Sequence, residues 1–79
     1  MRNPVKKLKE KQGWTIQEIA AAADIGFSTA YQNYQGSVRS MNGNLAALFE
    51  RLGYDPDKVR EEYQKYRKAK QQELISQAG

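Results

Sequence analysis

Apolar side chains recur three or four residues apart along most of this 79-residue chain, and breaks that contain glycine or polar residues interrupt the pattern. This spacing places side chains on one face of an α-helix, whereas a strand would need strict alternation. The chain has no convincing strand run, so we expect an all-α fold of four to five short helices. The clearest apolar stripes are Val5 and Leu8; Ile16, Ile19, Ala20 and Ala23; Leu45, Leu48, Phe49 and Leu52; and Val59, Tyr63 and Tyr66.

Capping signals mark the limits of the first two helices. Asn3 suits an N-cap, and Pro4 suits the first helical position, where no backbone N–H is needed. Gly13 follows as a stop signal. Thr15 with Glu18 three residues later has the pattern of a capping box. We therefore expect one helix between Pro4 and Gly13 and a second helix that begins after Thr15.

The later helices are separated by similar breaks. The break at residues 24–26 contains a glycine that relieves the steric limit on a sharp turn, and the third helix is expected to begin at Phe27 or Ser28 and to end before Gly36. Ser40 or Asn42 is expected to cap a fourth helix. A fifth begins near residues 55–57, and because its apolar stripe fades after residue 66, its end is expected to be frayed or to depend on a partner.

Composition restricts the chain to one globular domain with few catalytic options. Hydrophobic residues make up 39% and charged residues 28%, which is typical of folded domains. The absence of Cys and His removes disulfides, Cys/His zinc sites and imidazole-based catalysis. We expect no enzyme activity, no metal and no cofactor. Because no apolar run is long enough to cross a bilayer and the N-terminus lacks a secretory signal, we expect a cytoplasmic protein with no membrane contact.

The net charge of +4 is unevenly distributed along the chain. Residues 1–13 contain five basic residues and one acidic residue, whereas residues 14–52 contain two basic and three acidic residues. A second basic cluster lies late in the C-terminal segment. Such a bias attracts polyanions, although many soluble domains share it.

One segment, residues 15–36, resembles the helix-turn-helix of the lambda-repressor/Cro (XRE-type) family without gaps. The residues that carry the resemblance are Thr15, Glu18, Ile19, Ala20, Ile25, Ser28, Thr29 and Gly36. Val5, Leu8 and Trp14 match the family's earlier apolar positions, and a Leu-Gly pair at 52–53 follows at a spacing the family favours. The resemblance implies a compact lambda-repressor-like domain over residues 1–54, with an additional C-terminal helical extension over residues 55–79.

The resemblance also implies a function: a sequence-specific regulator of transcription that binds double-stranded DNA. It would be a repressor of phage or mobile-element type that occupies a palindromic operator as a homodimer. The family's reading positions correspond to Phe27, Ser28, Thr29 and Gln32. An uncharged amide such as that of Gln32 suits adenine, and Phe27 or the Thr29 methyl group suits a thymine methyl group.

Three residues depart from the family pattern: Gly26 replaces a usual Ser or Thr, and Ala30 and Asn33 replace larger aliphatic residues. A slightly rotated third helix would compensate, with Tyr34, or Tyr31 together with Tyr34, on the inner face and Ser28 as the cap. In that register Asn33 becomes a base-reading candidate, so both registers stay open at this stage.

Phosphate contacts are expected from helix N-termini and from the loop after the third helix, because free N–H groups and the helix dipole favour anions. The candidates are Gln17, Tyr31, Arg39, Ser40, Asn42 and Asn44. Tyr63 and Tyr66 are candidates for a dimer or partner contact, and docking onto their own domain is the other interpretation of that stripe. An alternative function is a protein–protein interaction module, of antitoxin or antirepressor type, that uses the C-terminal helix.

Overall fold

Five helices make up the fold in the computed structural model, which describes residues 2–78. They are α1 (Pro4–Gln12), α2 (Ile16–Ala23), α3 (Phe27–Gln35), α4 (Gly43–Arg51) and α5 (Pro56–Gln77). No strand occurs within residues 2–78. The expected all-α fold of four to five helices is confirmed.

The caps of α1 and α2 form as predicted. The Asn3 side chain accepts a hydrogen bond from the Val5 backbone amide, and Gly13 ends α1 in the left-handed region at φ 69°. Thr15 accepts from the Glu18 amide at 3.1 Å, and the Glu18 carboxylate accepts from the Thr15 amide at 2.8 Å. Both ends of the first break are thus fixed by local hydrogen bonds.

The turn between α2 and α3 differs from the expectation at two positions. Asp24, not Gly26, takes the left-handed conformation, with φ 56° against −71°. Asp is one of the few non-glycine residues that enter this region readily. Gly26 is the N-cap of α3, and it offers no side-chain hydrogen bond. Ser28 lies inside the helix, so its expected role as the cap is wrong. Gly36 ends α3 at φ 76°, as predicted.

Asn42 caps α4, which resolves the choice between Ser40 and Asn42. Its carboxamide oxygen accepts from the backbone amides of Asn44 and Leu45, at 2.9 and 3.2 Å. At the other end of α4, Leu52 is the C-cap and is 37% exposed, so its expected place in the buried stripe is wrong.

A single hydrophobic core joins α1, α2, α4 and the first half of α5. Tyr63, the largest fully buried side chain, comes from α5, so the C-terminal extension shares the core of the preceding residues. The buried members are Val5, Leu8, Ile19, Ala23, Met41, Leu45, Ala46, Leu48, Phe49, Val59 and Tyr63.

The two halves of α5 lie in different environments. Val59 and Tyr63 are buried in the first half, whereas every residue from Lys68 to Ala78 is exposed. The helix has 22 residues and continues to Gln77 although its apolar stripe ends earlier. At about 33 Å, it is long enough to reach well past the core.

Candidate nucleic-acid interface

The outer face of α3 is uncharged and open to solvent. Its helical period turns Ala30 and Asn33 inward, with exposures of 0% and 1%. Phe27 and Tyr31 are 51% and 41% exposed. The exposed side chains of α3 are Phe27, Ser28, Tyr31, Gln32 and Gln35. The helix therefore presents hydroxyl, amide and aromatic groups to whatever lies against it.

Two predicted base-reading residues have their polar atoms free for a partner. The side chains of Ser28 and Gln32 are exposed and make no hydrogen bond within residues 2–78. Thr29 is half-buried, and its backbone carbonyl accepts from Asn33. Among these three residues, Gln32 combines the longest reach with full donor and acceptor capacity.

Asn33 has a structural role, which corrects its placement among the base-reading candidates. Its Nδ2 donates to the Thr29 carbonyl at 2.8 Å, and its Oδ1 accepts from the Asn42 amide at 2.9 Å. The Asn33 carbonyl in turn accepts from the Asn3 side chain at 2.9 Å. Because Asn33 is buried and bonded in this way, it ties α3 to α1 and to the start of α4. The rotated register is wrong in turning Asn33 outward, although Tyr34 is partly buried against the core, as that register expected.

An aromatic row runs along α3, and the sequence interpretation did not identify it as a unit. The rings of Phe27 and Tyr31 stack with centroids 6.0 Å apart, and those of Tyr31 and Tyr34 with centroids 6.3 Å apart. Gln35 donates to the Tyr31 hydroxyl at 3.1 Å. The spacing i, i+4, i+7 is visible in the sequence and would have predicted the row. These contacts hold Tyr31 along the helix face.

Apart from Tyr31, which lies in the middle of α3, the phosphate candidates lie at helix starts and in the loop after α3. Gln17 is exposed in the first turn of α2, and Arg39 and Ser40 are exposed in the loop. Asn44 is exposed at the start of α4 and donates to the Asp24 carbonyl at 3.3 Å, which places that helix start beside the α2–α3 turn. The carboxamide oxygen of Asn42 caps α4, and the backbone amide of Asn42 donates to Asn33 Oδ1. Only the Nδ2 group of Asn42 therefore remains for a phosphate.

Side chains of α5 hold the loop that follows α3. The Tyr63 hydroxyl donates to the Val38 carbonyl at 2.8 Å, and Arg67 Nε donates to the Gly36 carbonyl at 2.9 Å. Gln64 donates to the Arg39 carbonyl at 2.5 Å. Three residues of one helix thus fix the backbone at the C-terminal end of α3.

This arrangement corrects the assignment of Tyr63 and Tyr66 to a dimer or partner contact. Tyr63 has no exposed surface, and burial raises the pKa of its hydroxyl above the ordinary value. Tyr66 is half-buried, and its ring lies so close to Gly36 that a Cβ added there would be 2.6 Å from the ring. Both tyrosines dock onto their own domain.

The basic residues of the N-terminal segment, residues 2–12, are dispersed. Lys7 forms an ion pair with Glu62 at 2.7 Å, and Arg2 is paired with Glu10. Lys11 lies over the Tyr54 ring, 5.3 Å from its centroid. Three of the five basic residues in the N-terminal segment are therefore engaged in local contacts.

Neither a metal-binding cluster nor a membrane-spanning helix is found in the part of the chain that the structure describes. Residues 2–78 contain no group of three acidic, His or Cys side chains close enough to hold a metal ion. None of the helices in this range is both long and apolar enough to cross a membrane.

Comparisons of the chain with protein-family models, with curated proteins and with solved structures give no match.

Proposed function

We propose that this chain is a sequence-specific, double-stranded DNA-binding regulator of transcription, similar to the lambda-repressor/Cro family. It acts in the cytoplasm as a repressor that occupies its operator. The observation that supports the proposal best is the outer face of α3, where exposed amide, hydroxyl and aromatic groups stand without a single charge. The major groove is wide enough for one helix and presents hydrogen-bonding edges and thymine methyl groups.

Gln32 is the principal base-reading residue in this proposal. Its exposed amide can donate and accept at once, which matches the N6 and N7 atoms of adenine. Ser28 and Thr29 lie one turn earlier on α3 and supply hydroxyl groups. Phe27, half exposed beside them, suits an apolar contact with a thymine methyl group.

Phosphate contacts flank this helix and position it. Gln17 and Asn44 lie at the starts of α2 and α4, where the positive end of the helix dipole favours an anion. Arg39 and Ser40 follow α3 in the exposed loop. These contacts supply affinity and orientation, whereas the α3 side chains supply sequence preference.

A homodimer on an inverted repeat completes the proposal, because one short helix makes few base contacts. Half-sites about one helical turn apart suit such a dimer. Leu74 and Ile75 are 55% and 64% exposed near the end of α5. They replace the buried Tyr63 as the residues that a second copy would cover.

The proposal is tested by selecting bound sequences from a random duplex pool. A short symmetric motif is expected, with affinity that falls steeply as salt rises. Gln32→Ala should then weaken binding to the selected site by about 1 to 3 kcal/mol and binding to random duplex very little. Gln12→Ala, at the exposed end of α1, is the matched control. No enriched motif, or equal losses on both duplexes, would contradict the proposal.

The exposed pair at residues 74 and 75 also favours a second candidate, a protein–protein interaction module of antitoxin or antirepressor type. Leu74→Gln with Ile75→Gln separates the two functions without disturbing the α5 contacts to the loop. If the pair forms the homodimer, the variant loses dimer in sedimentation and binds a full palindrome more weakly, while binding to a single half-site is unchanged. If the chain is a protein–protein interaction module, the unmodified protein should bind neither the full palindrome nor the half-site specifically.

A further inference from the structure

A polar groove of about 740 Å³ lies between the middle of α5 and the loop after α3. Three of its lining residues are cations, and the other three carry hydroxyl or amide groups. The lining residues are Arg39, Ser40, Gln64, Arg67, Lys68 and Gln71. No carboxylate lines the groove, so its electrostatic character is wholly positive.

The three cations of the groove are unpaired within residues 2–78, although the chain has acidic residues available. The ion pairs in this range use other basic residues: Arg2 with Glu10, Lys7 with Glu62, Arg60 with Asp57, and Lys65 with Glu61. The acidic residues of α5 concentrate at its start, since residues 55–62 contain four of them, whereas residues 63–73 contain four basic residues and one acidic residue. This segregation leaves the groove without an internal counter-charge.

The floor of the groove is already ordered. Arg67 donates from Nε to the Gly36 carbonyl at 2.9 Å and from Nη1 to the Arg39 carbonyl at 3.4 Å. Gln64 donates to the same Arg39 carbonyl. The Arg67 Nη2 group makes no hydrogen bond among the described residues, so one edge of the guanidinium stays available. A ligand would meet a positioned charge with little ordering cost.

We propose that this groove binds the phosphate backbone of duplex DNA, so that α5 belongs to the DNA interface. The inference rests on the proposed function and extends it to a helix that the sequence interpretation assigned to docking or dimerisation. Arg39 and Ser40 connect the groove to the loop after α3, so a strand that passes α3 would continue toward Lys68. The lining offers hydrogen-bond donors and positive charge without an apolar side chain, which suits a phosphodiester better than a peptide.

Charge-neutralising substitutions test the groove in the intact chain. Lys68 is exposed and makes no hydrogen bond to the loop, so Lys68→Gln removes one charge without removing a hydrogen bond that holds the loop. Lys58→Gln is the matched control, because Lys58 is exposed on the same helix among acidic residues. Arg39→Gln is a second groove variant. The readout is the dissociation constant for the selected duplex and for random duplex, measured at salt concentrations from about 50 to about 300 mM.

Loss of one phosphate contact should make the plot of log affinity against log salt less steep by about 0.9. Near about 150 mM salt this corresponds to an affinity about fivefold weaker. We expect this change for Lys68→Gln and Arg39→Gln on both duplexes and not for Lys58→Gln. If Lys68→Gln and Lys58→Gln have the same affinity and salt dependence, the proposal that the groove binds the DNA backbone is overturned. A selected motif would in that case still support the proposed function.

The two proposals can also fail separately in the other direction. If selection returns no motif but Lys68→Gln still weakens binding to random duplex, the groove holds and sequence-specific regulation fails. If the unmodified protein binds no duplex at any salt concentration, both proposals are overturned.

Discussion

α3 and the first half of α5 both carry tyrosines at helical spacing, yet they place them in opposite environments. Tyr31 on α3 is 41% exposed, whereas Tyr63 on α5 is fully buried. The Tyr31 hydroxyl accepts from Gln35 of its own helix, while the Tyr63 hydroxyl donates to a loop carbonyl 25 residues away. The difference shows that the first half of α5 supports the end of α3, whereas α3 keeps an exposed outer face.

The strongest test of this comparison truncates one tyrosine on each helix. Tyr63→Ala should lower the free energy of unfolding by about 3 to 5 kcal/mol, because it opens a cavity in the core and leaves the Val38 carbonyl without its donor. Tyr31→Ala, at an exposed position, should cost about 1 kcal/mol or less. Urea unfolding followed by circular dichroism measures both. Similar losses of unfolding free energy in the two variants would contradict the difference in burial between Tyr31 and Tyr63.

A second test compares neighbouring amides on opposite faces of α3. Asn33→Ala leaves the Asn42 amide without its acceptor and should cost about 1 to 3 kcal/mol of unfolding free energy. Gln32→Ala should change stability by about 0.5 kcal/mol at most. Hydrogen exchange at the Asn42 amide gives a local readout, since exchange should accelerate only in the Asn33 variant. Unchanged protection in that variant would contradict the buried position of Asn33.

The contact between α5 and the end of α3 can be isolated with two glycines. Gly36 and Gly53 both have positive φ, at 76° and 93°, so alanine at either position carries a strain of about 1 to 2 kcal/mol. A Cβ on Gly36 would also meet the Tyr66 ring at 2.6 Å, whereas nothing lies within 4 Å of one on Gly53. Gly36→Ala should therefore lower the melting temperature more than Gly53→Ala. Equal shifts would indicate that Tyr66 does not pack there.

The smallest expected effect concerns alkaline pH. Burial raises the pKa of Tyr63 in the folded protein above its unfolded value of 10.0. The folded state therefore binds this proton more tightly, and its contribution to stability is full below about pH 10 and is lost as the pH rises toward the folded pKa. Tyr63→Phe should show a shallower fall in stability above pH 10 than the unmodified protein. An identical fall in both would mean that Tyr63 titrates normally.

Local signals in the sequence predict the helices well, since each cap involves residues close together in the chain. The Asn3 cap, the Thr15–Glu18 capping box and the stop at Gly36 all form as expected. Helical periodicity also predicts an uncharged outer face on α3, but it left open whether Asn33 belongs to that face. The left-handed turn at Asp24 was missed because the sequence offers a glycine two residues later.

Contacts between distant segments explain what the sequence did not predict. The burial of Asn33 depends on donors and acceptors supplied by Asn3 and Asn42, and no local pattern reveals that pairing. The role of Tyr63 likewise depends on the loop at Val38. The groove beside Lys68 arises only once α5 lies against that loop, so its α5 cations could be identified from the sequence only as part of a basic cluster late in the C-terminal segment.

The central claim is that the outer face of α3, and not its inner face, meets the bases of a DNA duplex. The most direct measurement is an NMR titration of the protein with the selected duplex, following the side-chain amide signals of Gln32 and Asn33. We predict that the Gln32 signals shift strongly with the selected duplex and weakly with random duplex, while the Asn33 signals stay in place. Saturating binding of the selected duplex with Gln32 signals unmoved would contradict the account.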